Sequence, residues 1–177
     1  DQGWNLWNDP KLAGRYGILE SDDWNVFGIC AIAGFDPFTT HTDEQIAKFR
    51  ETAKRVFAGK KLVGDIATNN QALVSGEIDF HLTGGNYSVS PARADGHKNL
   101  RAITPKKGPF AGGKGGMSWI EITSVVNNPN LSPLAEEFLA YVQEPKMAHT
   151  VAFAEGTFNP VAQRGNPDCF KLFTKDE

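Results

Sequence analysis

Several things that would announce a chemistry are scarce or missing. There are two cysteines in 177 residues, too few for the disulfide framework of a small secreted scaffold. Cys30 and Cys169 can form one long-range bridge or stay as two buried thiols. The apolar run Phe27-Gly28-Ile29-Cys30-Ala31-Ile32-Ala33 favours the thiols, because free cysteine behaves as a small hydrophobe. The histidines His41, His81, His97 and His149 are scattered, without HExxH or Cys/His ligand spacing, which argues against a zinc centre. No GxSxG elbow occurs and neither cysteine has a histidine near it in sequence, so nucleophilic catalysis has no signature. No apolar run reaches the roughly 18 residues that a spanning helix needs. With a net charge of −3 and no basic block, nothing offers a track for a nucleic-acid backbone. Repeats and low-complexity segments are absent too. The one stretch close to a cofactor motif is Gly108-Pro109-Phe110-Ala111-Gly112-Gly113-Lys114-Gly115. It fails as a phosphate loop: Gly115 stands where a Ser or Thr would hold magnesium, and a strand-like apolar run follows in place of a helix. A flexible connection between lobes accounts better for those glycines.

What remains is ordinary globular material, 40% hydrophobic and 22% charged, enough to bury a core. Arg15 to Leu19 reads as a strand, and Ser21-Asp22-Asp23 as the capped start of a helix ending near Gly34. Thr42-Asp43-Glu44-Gln45 has the spacing of a capping box. It opens a helix whose Ile46, Phe49, Ala53, Val56 and Phe57 form one apolar stripe up to Gly59. Strands are expected over Lys61 to Ala67, Ile78 to Thr83, Asn99 to Ile103 and the Trp119 region. Helices are expected over Asn69 to Ser75, from Ser132-Pro133 to about Gln143, from Pro145 to Gly156 and around Cys169 to Phe173, with a further helical stretch from Tyr87 towards Arg93. Strands alternating with helices imply an α/β fold with a mostly parallel sheet flanked by helices.

Such sheets bind small ligands outside the carboxyl ends of their strands. Three segments at those ends carry suitable groups. Trp119 and Glu121 are two apart, so on a strand they share one face. A ring face and a carboxylate side by side can clamp an organic cation; a core Trp next to a solvated Glu is the plainer reading. Asp22 and Asp23 can work as paired carboxylates or simply suit the helix dipole. Thr83-Gly84-Gly85-Asn86-Tyr87 can cradle an anion with backbone N–H groups or can be a tight turn that needs glycine.

With these pieces in order, the chain resembles the spermidine/putrescine-binding proteins, the periplasmic solute receptors of polyamine-type ABC importers. Trp4-Asn5-Leu6-Trp7-Asn8-Asp9-Pro10-Lys11-Leu12-Ala13-Gly14-Arg15 is similar to that family's entry into its second lobe. Leu19-Glu20-Ser21-Asp22-Asp23 with Val26-Phe27 resembles its strand-to-helix segment, Gly76-Glu77-Ile78-Asp79-Phe80 a strand entry, and Trp119-Ile120-Glu121 its Trp-x-Asp ligand motif. Ser132 to Gln143 resembles the helix that follows, and Phe158-Asn159-Pro160 loosely matches a Tyr-x-x-Pro-Asn region.

The resemblance implies a non-enzymatic lobe that works outside the cytoplasm without metal or cofactor. Its partners would be a small organic solute and permease subunits, and it would meet the membrane only through the permease. It assigns residues 1–116 to a second lobe, 117–156 to a crossover strand and helices that return to a first lobe, and 157–177 to the return. A segment-exchanged or intimate homodimer is expected if the first lobe is not there to receive them. Carried over residue by residue, it makes Asp23 and Glu121 cation partners and Trp119 a stacking ring. Trp24 and Tyr87 are the rings able to replace a missing aromatic, while Thr83 and Asn86 supply hydrogen bonds. Two departures matter: Trp24-Asn25 stands where the family has a glutamate, and Thr83 where it has a tryptophan. A buried polycation would lack a counter-charge, which leaves monocationic, zwitterionic and amino-acid-derived solutes open. The rivals are the effector-sensing domain of a transcription regulator and a small α/β enzyme using Asp22 or Asp23 as base.

Overall fold

The computed structural model describes residues 2–82, 86–120, 122–155, 165 and 167–175. A three-stranded parallel sheet forms the centre: β1 (Tyr16–Leu19), β2 (Leu62–Gly64) and β3 (Phe80–Leu82), in the order β2-β1-β3. Strand β1 has a neighbour on each side, Ile18 lying opposite Val63 on one and Leu82 on the other. All four of its residues are buried. Side chains alternate between the two faces of a strand, and this alternation sets the layers. Tyr16 and Ile18 pack with Ile29, Ile32, Val56 and Leu82, which brings α1 (Asp22–Ala33) and α2 (Asp43–Ala58) onto one face. On the other face α3 (Ile66–Ser75) lies so close that a Cβ on Gly17 would overlap the Asn69 side chain. Asn69 is fully buried, and its amide nitrogen donates to the Gly64 and Asp65 carbonyls. Helix, sheet and helix stack as an α/β lobe.

Local chemistry explains the helix ends. Thr42 Oγ1 accepts from the Gln45 N–H while the Gln45 side chain accepts from the Thr42 N–H, a complete capping box. Helix α1 stops at Gly34, whose φ of 90° is left-handed and suits a residue without Cβ. Ser21 occupies the N-cap of α1, but its side chain caps nothing. Instead Asn25 Nδ2 donates to the Leu19 carbonyl at 2.9 Å, tying the first turn of the helix to the end of β1.

Four sequence expectations need correction. The strand at Lys61 stops at Gly64, because Asp65 caps α3 by accepting from the Thr68 N–H. Asn99 to Ile103 is no strand: the Lys98 and Leu100 carbonyls accept from the Arg93 guanidinium rather than from a neighbouring strand. The Trp119 stretch is also no strand among its described residues. Its β-branched side chains suit a pleated surface only when a partner edge covers them, and Ile120 and Ile122 stand 86% and 84% exposed. The glycine-rich segment, finally, has a defined fold of its own rather than reading only as a connection. Strand β4 (Lys107–Phe110) and the 3-10 turn Ala111–Gly113 fold back on Lys114. Gly112 and Gly113 take φ of 69° and 72°, and a Cβ on Gly115 would run into the Pro105 carbonyl. No helix opens there to receive a phosphate.

After β3 come a 3-10 turn, Asn86–Ser88, and α4 (Ser90–Ala94). Helix α5 (Leu134–Tyr141) leaves Leu134 and Phe138 exposed. Helix α6 (Pro145–Glu155) packs on α4 and on α7 (Pro167–Lys171), burying Ala148 with Cys169. Phe158-Asn159-Pro160 lies outside the described residues. Cys30 and Cys169 are not bridged to each other, and both are buried, in separate clusters. Burial, with Asp36 nearby, pushes the Cys30 thiol up to about 11, which leaves it unreactive.

Candidate functional site

The carboxyl ends of the two adjacent strands β1 and β3 are where a parallel sheet accepts ligands. Helix α1 begins within three residues of the end of β1, so Asp22 and Asp23 fall in its first turn, where negative charge suits the dipole. Both are exposed. Trp24 comes next, and its ring meets two others from remote parts of the chain. It packs edge-on against Trp119, with centroids 4.9 Å apart and planes inclined 64°. Tyr87, from the turn after β3, is 6.3 Å from Trp24 at 48° and 5.9 Å from Trp119 at 87°. The three rings form a triangle of mutually inclined planes. They are partly open to solvent, Trp119 being 40% exposed.

Of the residues singled out from sequence, the fold gathers Trp24, Tyr87 and Trp119, and Asp23 precedes Trp24 in the first turn of α1. The backbone of Asn86 opens the 3-10 turn that carries Tyr87. Thr83 and Glu121 lie outside the described residues. The pairing of Trp119 with Glu121 therefore lies outside the described residues, and Trp119 itself is not on a strand. Sequence reasoning passed over Phe27 and Phe38. Phe27 lies 5.7 Å from Trp24, and Phe38 a further 5.3 Å from Phe27. The spacing of Trp24 and Phe27, three apart on one helix face, was the available signal.

A second aromatic cluster sits at the amino ends of the strands. Trp7 is wedged between Tyr16 at 4.8 Å and Phe80 at 5.0 Å, and Trp4 Nε1 donates to the Gly115 carbonyl at 2.7 Å. A groove of about 650 Å³ opens beside Trp4, Ile32, Lys106, Lys107 and Pro109, at the far end of α1 from Trp24. Its two lysines repel a cation, so size alone does not make it the site. His81, on β3, is largely buried, and burial pushes its imidazole down to about 4. Neither ring nitrogen has a hydrogen-bond partner of normal geometry; a weak contact with the Leu82 backbone opposes the shift. Among the described residues no group of three or more His, Cys, Asp or Glu side chains could hold a metal. No helix there is long and apolar enough to cross a membrane.

A family model for bacterial extracellular solute-binding proteins matches residues 2–167. The chain belongs to that family. No curated protein and no solved structure matches it. Members of the family bind a solute outside the cytoplasm and deliver it to an ABC transporter, and they are not enzymes. For this solute-binding protein the partners are accordingly a small solute and a permease, and the α/β lobe fits that work.

Proposed function

We propose that this solute-binding protein takes a small organic cation at the carboxyl ends of β1 and β3, against Trp24, Tyr87 and Trp119. The observation that carries the reading is the convergence of these three rings from three separate segments onto one strand edge. Rings attract cations through their quadrupoles, by about 0.5–1 kcal/mol where exposed and about 2 where water is excluded. Asp23, in the first turn of α1 beside Trp24, supplies opposite charge, and Glu121 is the second carboxylate that the sequence offers. Thr83 and Asn86 are the hydrogen-bonding candidates after β3. The exposed apolar side chains of Ile120, Ile122 and Phe138 support reading 117–156 as a stretch that meets another surface, a companion lobe or a second copy.

Calorimetry of the chain with 1,4-diaminobutane and with 1,4-butanediol, alike in length and different in charge, tests the reading. Binding of the diamine alone, weakened about tenfold by Asp23→Asn and abolished by Trp119→Ala, is expected. Equal binding of the diol, or tight binding of an anion at the same rings, would overturn it.

A further inference from the structure

We infer that the chain forms a closed dimer in which α5 of one copy lays its apolar stripe in the groove beside Trp4 of the other. The groove lies at the far end of α1 from Trp24, so the inference is independent of the cation reading. Of the two surfaces offered above to Phe138, it selects the second copy.

Helix α5 supplies one half of the contact. Leu134, Phe138 and Tyr141 fall at i, i+4 and i+7, and therefore on one side of the helix. They are 62%, 60% and 48% exposed, and no residue of α5 is buried. An amphipathic helix ordinarily turns such a stripe onto a core. Left bare, a row of large apolar side chains marks a contact surface rather than scattered exposure. Anchors at this spacing are the ones by which a helix is held in a groove.

The groove supplies the other half. Its volume of about 650 Å³ is within the range of binding clefts. Trp4, Ile32 and Pro109 give it an apolar lining, with Lys106 and Lys107 among its walls. Leu134 and Tyr141 are seven residues apart, about 10 Å along a helix axis. A trough about 10 Å long with that volume is about 8 Å across, which takes the side chains of two helical turns while the backbone stays outside.

Charge selects the occupant. Residues 131–144 hold Glu136, Glu137 and Glu144 and no cation. Glu137 is three residues from Leu134 and four from Tyr141, so it flanks the stripe. Residues 98–114 hold Lys98, Arg101, Lys106, Lys107 and Lys114 and no carboxylate. An acidic apolar helix and a basic apolar groove are complementary, and each copy owns one of each. Reciprocal docking closes the pair, whereas one-way docking would leave a free helix and a free groove at the ends and grow a filament.

Sedimentation velocity of the chain at micromolar concentrations is expected to show a dimer. Phe138→Ala should weaken it at least about tenfold, as the loss of a central ring does. Lys106→Glu together with Lys107→Glu should weaken it about tenfold. Adding Glu137→Lys to that pair should restore part of the loss, which a general failure to fold could not do; circular dichroism checks the fold of each variant. A chain that stays monomeric leaves α5 to a different partner and sinks the proposal, as does a dimer indifferent to these substitutions. Neither result touches the titration with 1,4-diaminobutane, so the cation reading is judged separately.

Discussion

The molecule has two aromatic clusters of similar composition at opposite ends of one short sheet, and they do different work. At the amino ends, Trp7 is gripped between Tyr16 and Phe80, which open β1 and β3. Its neighbours are fixed in turn, the Tyr16 hydroxyl donating to the Val56 carbonyl at 2.7 Å and Trp4 to the Gly115 carbonyl. At the carboxyl ends, Trp24, Tyr87 and Trp119 hang from a helix start, a turn after β3 and a stretch without regular structure. The first cluster closes the core; the second borders solvent, and it is there that we propose the guest binds. The difference teaches that a ring's role follows from what anchors the segment carrying it, more than from the ring itself.

The comparison can be broken in order of effect. Trp7→Ala should cost about 3–5 kcal/mol of stability, as a large aromatic removed from packed surroundings does, seen as a fall in the urea midpoint. A loss as large from Trp119→Ala would erase the distinction between the clusters. Acid should weaken the sheet that joins them. His81 favours its neutral form when folded, at about 4 against an ordinary value of 6.5. Between those values the unfolded chain binds a proton that the folded chain refuses. Stability therefore falls as pH drops from about 6.5 to 4 and levels off below, by on the order of 3 kcal/mol. Urea unfolding at pH 7.5 and 4.5 checks this, and His81→Phe should remove that part of the fall. Smallest of all, Trp119→Ala is expected to change stability by less than about 1 kcal/mol, since its ring is 40% exposed. Its effect belongs to ligand titrations.

Much of the lobe was legible locally. The Thr42 to Gln45 box, the glycine stop at Gly34 and the apolar strand at Ile18 each carry their cause within a few residues, and each forms where expected. Strand at Ile120 and Ile122 was misread because β-branched composition reports suitability for a sheet, while a sheet also needs a partner edge. Strand at Asn99 to Ile103 failed for a similar reason, its preceding carbonyls being taken by Arg93. The glycines of residues 108–116 looked like flexibility, yet close approach to Pro105 and positive φ explain three of them. In the site, Trp24, Tyr87 and Trp119 could be named in advance as rings near strand ends. Phe27 and Phe38 could not, because nothing in sequence ties residue 38 to a helix that ended at Ala33.

By itself the sequence determined the α/β alternation, the bounds of the helices that start at Asp22 and Asp43, and the lack of catalytic or metal-ligand spacing, because these depend on periodicity and on chemistry within a turn or two. Only the tertiary structure decided which tryptophans seal the core and which meet at the strand ends. That choice depends on the order β2-β1-β3, which brings the end of β1 beside the end of β3. Contacts across more than sixty residues are set by packing, and no local pattern encodes them.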